Sequence, residues 1–470
     1  MATINAAFNL ISQALEADQG GLSIVANNVA NANTPGYTVE RPNWQENSPV
    51  LINGVPYGTG VTQTGPTSIR DRVLETRLDQ QQQLAAASNT RLTALNTMQA
   101  LFTPDSGSGT SSAGNIGNDI TNFFDSFAAL EANPTDNALR QDVLATATTL
   151  AGDVSNAAAG LDAQRAALDQ EAAGVTSQVN ALAASIAQLN SEIQSNSPHA
   201  DAGVLEDQRQ QDLSQLGQLI GINQVTTENN GLSVTTTSGQ LLVSENANFA
   251  LTASSVGGVT HFFIGGNDVT AQLTDGGGKL GGYLTARDQD IPGALVSLDL
   301  LANGIATSVN AQNNAGTDLA GDNGNAGDVF AQPAQVQGSA IAMSVVMTDP
   351  SHIAAAGLGQ GTGDNSNAIA MAALGGQGIV SAQTPINFYS NFVSTLGATV
   401  SNTQTEYTAQ NASVMQLESQ SNALSAVNMD EEASMMTMLE RSYQAASQVF
   451  TMINTLMASA LNMGEQSTVA

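Results

Sequence analysis

The sequence predicts a mainly α-helical protein with a small antiparallel β insertion, in which long coiled-coil-like helices from both chain ends pack together. Three observations carry this reading. Met436, Leu439, Tyr443, Ala446, Phe450, Ile453, Met457 and Ala460 recur near the C-terminus at alternating steps of three and four, the spacing of a coiled-coil seam. Ile4, Phe8, Ile11, Leu15, Leu22, Val25 and Val29 keep the same alternation at the N-terminus, interrupted only by Asp18. Between Ile222 and Ala271 the pattern changes to apolar–polar alternation with glycine- and asparagine-rich turns.

In chain order, the first helix gives way to Ala26–Thr38, where alternating asparagines end the helical pattern. Pro35 disfavours helix at Thr34, and Pro35-Gly36 marks a turn. Residues 50–69, rich in Gly, Pro, Thr and Val, read as an extended or short-strand connection. Arg70 to Phe102 reads as a helix, and Ser106 to Gly117 as a Gly/Ser linker. A short helix with Phe123, Phe124 and Phe127 ends at Asn133-Pro134. A long one follows, from about Asp136 to Gln194, with Leu161, Leu168, Val175, Val179, Leu182, Ile186, Leu189 and Ile193 on one face.

Ser197-Pro198 ends that helix, and another carries Leu205, Leu213, Leu216 and Ile220 inward. After the β insertion, Gly276-Gly277-Gly278 leads into helix from about Leu280 to Asn313. Gln335 to Thr348 is a further candidate strand, Asn365 to Leu374 a short helix, and Thr384-Pro385 the start of the next long one. Asn428-Met429-Asp430-Glu431-Glu432 opens the last helix, with carboxylates at its positive end. The expected units are an axial helix (1–40) pairing with 427–470, a helical domain (41–221, 279–315 and 365–426), a β insertion (222–278), and a loop or strand segment (316–364) whose membership of the β domain the sequence leaves open.

The formal net charge of -30 comes from only 11% charged residues, and Lys279 is the single lysine. Eleven basic residues leave no patch for phosphate backbones or anionic lipid, so no nucleic-acid and no membrane partner is expected. Cysteine is absent, which excludes disulfides and thiolate chemistry. No basic residue precedes Arg41, so the N-terminus does not read as a cleaved secretory signal, and no continuous apolar run is long enough to cross a membrane.

Val449, Met452, Leu456 and Met463 widen the C-terminal stripe beyond what one partner helix covers. An isolated helix of this kind is marginal in water, and Gly20 and Gly21 weaken the N-terminal one further. Both terminal helices are therefore expected to be poorly ordered in the free monomer and to fold against neighbouring subunits.

Two stretches resemble a known family. The segment Ala26–Thr38, with Asn27, Asn28, Asn31, Asn33, Pro35, Gly36 and Tyr37, is similar to the N-terminal signature of flagellar rod, hook and hook-associated proteins. Val427 to Glu432, with Asn428, Glu431 and Glu432, followed by Tyr443-Gln444-Ala445, resembles the matching C-terminal signature. Val204–Ile220 and Leu280–Asn313, with Arg287-Asp288 and Asn310-Ala311-Gln312, resemble the hook-associated members. One departure is the crowd of Met429, Met435, Met436 and Met438 where leucine or isoleucine is usual, which softens the packing.

The resemblance implies a structural component of the flagellum at the hook–filament junction, exported by the flagellar type III route. Its implied partners are the hook protein, the second hook–filament junction protein, copies of itself, and an export chaperone on the C-terminal helix. The alternative is a secreted adhesin or type III tip-like protein binding a surface through its β insertion.

No enzyme, cofactor or metal site is expected. His199, His261 and His352 are scattered without ligand spacing. Asp318, Asp322, Asn323, Asn325 and Asp328 lack the order and final glutamate of a calcium loop. No Ser-His-Asp or paired-carboxylate arrangement is legible.

Overall fold

The computed structural model describes residues 2–52, 54–103, 116–197 and 201–466 of the chain; His199 and most of the Gly/Ser linker lie outside them. Helix α1 (Ala2–Asn31) turns into a β arm. Strand β1 (Glu40–Glu46) is followed by the tip strands β2 (Val50–Ile52) and β3 (Val55–Tyr57), then by β4 (Val61–Ser68). β1 and β4 are antiparallel, Glu40 opposite Ser68 and Glu46 opposite Val61, with a bulge at Asn43/Trp44. β2 and β3 form a hairpin with Ile52 opposite Val55. The helical domain therefore does not start at residue 41. Its first helix, α2 (Arg72–Ala100), begins where the Asp71 carboxylate accepts from the Val73 and Leu74 amides. Four prolines and several β-branched residues between positions 42 and 66 deny helix to the arm. A two-stranded ladder is all edge, which tolerates prolines.

Helices α3 (Ile116–Ala132) and α4 (Asn137–Asn196) follow. With 60 residues, α4 is about 90 Å long at 1.5 Å per residue. Its first half, through Leu161 and Leu168, lies in a helical core with Phe123, Phe127 and Leu130 of α3. Its second half, from Ala172 to Ala187, lies in a separate core under the β insertion. Helix α5 (Val204–Leu219) leads into β5 (Ile222–Thr226), β6 (Leu232–Thr236), β7 (Leu241–Ser244) and β8 (Ala247–Asn248), an antiparallel meander. A second sheet holds β9 (Leu251–Val256), β10 (Val259–Ile264) and β11 (Asn267–Asp268). Two asparagines of α4 fasten both sheets: Asn190 Nδ2 donates to the Leu232 and Glu245 carbonyls, and Asn180 exchanges bonds with the Leu251 backbone.

Short helix α6 (Thr270–Thr274) precedes α7 (Gly278–Thr285), which continues through a π turn, Ala286–Asp290, into α8 (Ile291–Asn314). The expected helix from Leu280 to Asn313 is thus interrupted. The extra residue of the π turn accommodates Arg287, whose buried guanidinium bonds Asp169, Asp288 and the Thr260 carbonyl. By length and composition Gly278–Asn314 is apolar enough to cross a membrane, although no single run of the sequence suggests it. Half of that window is buried in this fold, where Leu298, Leu301, Ile305 and Val309 fill the helical core.

Residues 316–364, whose place the sequence left open, pack on the helical core through Phe330, Met343 and Ile353, not on the β insertion. The candidate strand 335–348 is a series of turns with one bridge, Phe330 to Val345. Pairing is limited to this bridge, where Ala331 donates to the Ser344 carbonyl and Val346 to the Val329 carbonyl, while Asn310 of α8 holds the Val329 and Phe330 amides and the Phe330 carbonyl. The paired β12 (Gly316–Thr317) and β13 (Ala356–Gly357) close this segment. Helix α9 (Ser366–Leu374), α10 (Pro385–Ser425) and α11 (Met429–Gln466) complete the chain.

Where α3 and α4 meet, the carboxyl groups of Asp119 and Asp153 lie close together, and both residues are buried. Burial, with the Asp153 carboxyl adding, pushes Asp119 up to about 7. The folded protein therefore holds this proton more tightly than the unfolded chain. The resulting stabilisation is complete below about pH 4 and is lost as the pH rises towards 7. Thermal melts of Asp119→Asn between pH 4 and 8 are expected to show a flatter pH dependence than wild type.

Candidate assembly interface

The two chain ends meet as an antiparallel pair. Asn28 bonds Glu432, Gly21 lies against Leu439, and Phe8 stacks on Phe450 with ring centroids 4.9 Å apart. Moving forward along α1 is moving backward along α11. A Cβ on Gly21 would fall 3.1 Å from Leu439 Cδ1 and 3.3 Å from Trp44 Cζ2. This glycine, a weakness in an isolated helix, lets two elements approach α1 closely.

At the C-terminal end of α1 the signature residues form one hydrogen-bonded node. Asn28 Nδ2 donates to Glu432 Oε2 at 2.9 Å and to the Glu40 carbonyl at 2.8 Å. Its Oδ1 accepts from the Tyr37 hydroxyl at 2.8 Å and the Glu40 amide at 3.0 Å. Every hydrogen-bonding position of this amide is used. Asn28 and Glu432 are each 0% exposed, and the other Glu432 oxygen accepts from Arg41, which also bonds Glu431 at 2.9 Å.

Asn27 donates to the Tyr37 hydroxyl, Asn31 donates to Asn27, and Thr34 bonds Asn31. Gly36 takes φ +80, a turn conformation that other residues adopt only with strain. Asn33 and Pro35 are exposed. Asn428 caps α11, its Oδ1 accepting from the Asp430 amide. Burial raises the Tyr37 phenol, and Glu40, Asp207 and Glu432 add to the shift, so the hydroxyl stays a donor at any physiological pH.

The node is tied to the helical domain by Asp207 of α5. Its carboxylate accepts from the Thr38 amide at 2.9 Å, the Thr38 hydroxyl at 2.7 Å and Arg70 at 2.8 Å. Val39 donates to the Ser425 carbonyl at the end of α10. Burial raises the Asp207 pKa, opposed by the Thr38 and Arg70 bonds.

The expected seam residues Ile4, Phe8, Ile11, Leu15, Leu22 and Val29 are half-buried, and Val25 is fully buried. On α11, Leu439 is buried and Met436, Ala446, Phe450, Ile453 and Met457 are half-buried. Tyr443 stands 40% exposed, off the seam. The deepest α1 positions also include Ala17 and Ile24, which lie off the expected line. The β arm explains them: Trp44 Nε1 donates to the Ala17 carbonyl, so α1 is covered from a second side. Val449, Met452 and Leu456 are exposed, and the Met463 side chain lies outside the described positions.

Glu40, Arg41, Trp44 and Arg70 were missed by sequence reasoning, and Asp207, in the Val204–Ile220 stretch that carries the resemblance, was given no role at this node. Their partners lie as far as 391 residues away, and spacing carries no trace of them. His352 Nδ1 meets Asp318 Oδ2 at 2.6 Å, with Asp322 at 3.8 Å, which sequence spacing also hid. The His352 pKa is raised by its bond to Asp318, with Asp349 and Asp322 contributing. The second Asp318 oxygen takes the Asp322 amide. The His352–Asp318 bond ties the end of β12 to the turn before β13.

Known proteins resemble this chain in sequence and fold. A model of the flagellar hook-associated protein FlgK helical domain matches residues 105–330, and one of the flagella basal body rod protein matches residues 9–38. Flagellar hook-associated protein 1 of Escherichia coli (strain K12) is 25% identical over 356 residues, 73% of this chain and 64% of that protein. The Bacillus subtilis (strain 168) protein of the same name is 25% identical over 96% of both chains. The chain thus spans just under two thirds of the E. coli relative and nearly all of the B. subtilis one. The structure of the flagellar hook junction protein FlgK from Burkholderia pseudomallei, 18% identical, superposes with a TM-score of 0.64 over 73% of this chain and 99% of that one. That likeness is one of fold.

With its ends laced together and the rod-protein pattern at its N-terminus, the chain resembles flagellar axial proteins. Among these it is similar to flagellar hook-associated protein 1, over nearly the whole length of the Bacillus subtilis relative.

Replacing Asn28 by leucine leaves one Glu432 oxygen and both Glu40 backbone groups without their partner, while Arg41 still holds the other Glu432 oxygen. Each buried polar group left unpaired costs about 1–3 kcal/mol. Hydrogen exchange on Asn28→Leu is expected to show faster exchange along α1 and α11, with the core amides of α3 and α4 unchanged.

Proposed function

We propose that this chain is a structural subunit of the bacterial flagellum at the junction between hook and filament. The observation that carries the reading is the pairing of the two signature-bearing ends into one helix pair, with a bare apolar line left along α11. A helix pair with one covered and one uncovered face is half of a larger bundle. The uncovered face is filled by neighbouring subunits and by the hook and filament-side components on either side of the junction.

The mechanism is assembly, without chemical turnover. α1 and α11 gain part of their stabilisation from each other through the Asn28 node, and the rest on docking. In the free monomer they are the least protected elements, and docking at the hook tip orders them. The uncovered α11 line also suits a chaperone that shields it in the cytoplasm before type III export. The residues assigned to assembly are the α1 line from Ile4 to Val29, the Asn27–Tyr37 turn, and α11 from Asn428 to Met457.

Electron microscopy of a strain lacking this gene is expected to show hooks without filaments, with flagellin shed into the medium. Full-length filaments on the mutant hooks would refute the reading. Deleting the C-terminal helix from a tagged copy is expected to abolish co-purification of a cytoplasmic chaperone; undiminished recovery would remove that step from the mechanism.

A further inference from the structure

The chain carries -30 net charge, so copies of it repel one another over most of their surface. Several stretches carry no charge, and two of them belong to the terminal helix pair and the arm rooted on it. Residues 47–69, which hold the tip of the β arm, contain no Asp, Glu, Lys, Arg or His, and neither do residues 442–464, most of the second half of α11. Both expose large apolar side chains. Leu51 is 70% exposed at the arm tip, with Val50, Val55 and Tyr57 about half exposed beside it. Met452 is 63% and Leu456 58% exposed on α11, with Val449 beside them.

Both patches belong to the terminal helix pair and its arm. Trp44 of the arm bonds the Ala17 carbonyl, and Asn47 bonds Gln13 at 2.9 Å, so the arm is rooted on α1. Val50 follows three residues later, within about 10 Å of Asn47 at 3.3 Å per strand residue. On α11, Val449 and Met452 flank Phe450, which meets Phe8 of α1. One molecule thus presents an uncharged apolar finger on the arm rooted on α1 and an uncharged apolar stripe on α11. Methionine at the centre of that stripe adapts its shape to an inserted side chain.

We propose that the 50–57 arm of one subunit seats on the Val449–Met452–Leu456 stripe of a second copy of this chain, as the lateral contact between neighbours in the assembled junction. The contact is heterologous: two different patches meet, so each subunit offers one of each to successive neighbours. It extends the helix-pair interface sideways, because the arm is rooted on α1 through Trp44. This inference rests on the assembly reading above.

The chain has no cysteine, so engineered thiols report on it cleanly. Two full-length copies, one carrying Leu51→Cys and the other Met452→Cys, are expressed together in the deletion strain, and their flagella are isolated and oxidised. The expected product is a disulfide-linked dimer formed only when both copies are present. A control pair, Leu51→Cys with Val296→Cys on α8, is expected to give none. Flagella that carry both copies but yield no dimer, or yield as much from the control, overturn the lateral contact while leaving the assembly reading in place. Filaments growing normally without the gene sink the assembly reading itself. As a second measurement, the double variant Leu51→Glu and Val55→Glu changes only exposed side chains. It is expected to keep the wild-type circular dichroism spectrum yet support at least tenfold fewer filament-bearing hooks. Wild-type filament numbers from that variant overturn the proposal.

Discussion

The bond between Asn28 and Glu432 joins residues 404 positions apart, and the rest of the architecture hangs from it. It fixes the register of α1 on α11. That register places Leu439 over Gly21 and Phe450 on Phe8. The same amide holds both backbone groups of Glu40 and so sets where the β arm leaves the helix pair. Because the node is sealed from water, each partner lost leaves another polar group unpaired, and the geometry tolerates little variation. Asp207 extends the constraint into the helical domain through Thr38 and Arg70.

A second organising element is α4, which belongs to two hydrophobic cores in succession. The β insertion has no helix of its own long enough to form a platform and takes the second half of α4 as its base. The attachment uses side-chain amides: Asn180 and Asn190 hold strands, and on α8 Asn310 and Asn313 hold the 316–364 segment. An asparagine on a helix offers a donor and an acceptor in one plane, matching the exposed backbone of a chain passing alongside. Irregular segments can thus be buried without a complete sheet.

The long helices, the β insertion and the pairing of the ends were legible because each rests on periodicity, which one sequence carries by itself. The change of period at Ile222 marks the start of β5 to the residue. What stayed hidden depends on partners distant in sequence. The β arm lacked clean alternation because two-stranded ladders expose both faces, so nothing enforces a pattern on them. Ile24 and Ala17 fell off the expected line because a heptad assumes one partner, and α1 has two. The signature asparagines could be recognised as a motif, yet their purpose appears only when Glu40 and Glu432 stand beside Asn28. The same reasoning applies to His352, whose acidic neighbours come from the other side of a long loop.

The methionines of α11 have a chemical consequence as well as a packing one. Met429, Met438 and Met452 are exposed. Their thioethers are open to peroxide and hypochlorous acid, which convert an apolar side chain to a polar sulfoxide. Leucine at these positions is inert to such reagents. The adaptability gained from sulfur therefore leaves the exposed face of α11 sensitive to oxidative attack, to a degree that the sealed Asn28 node is not.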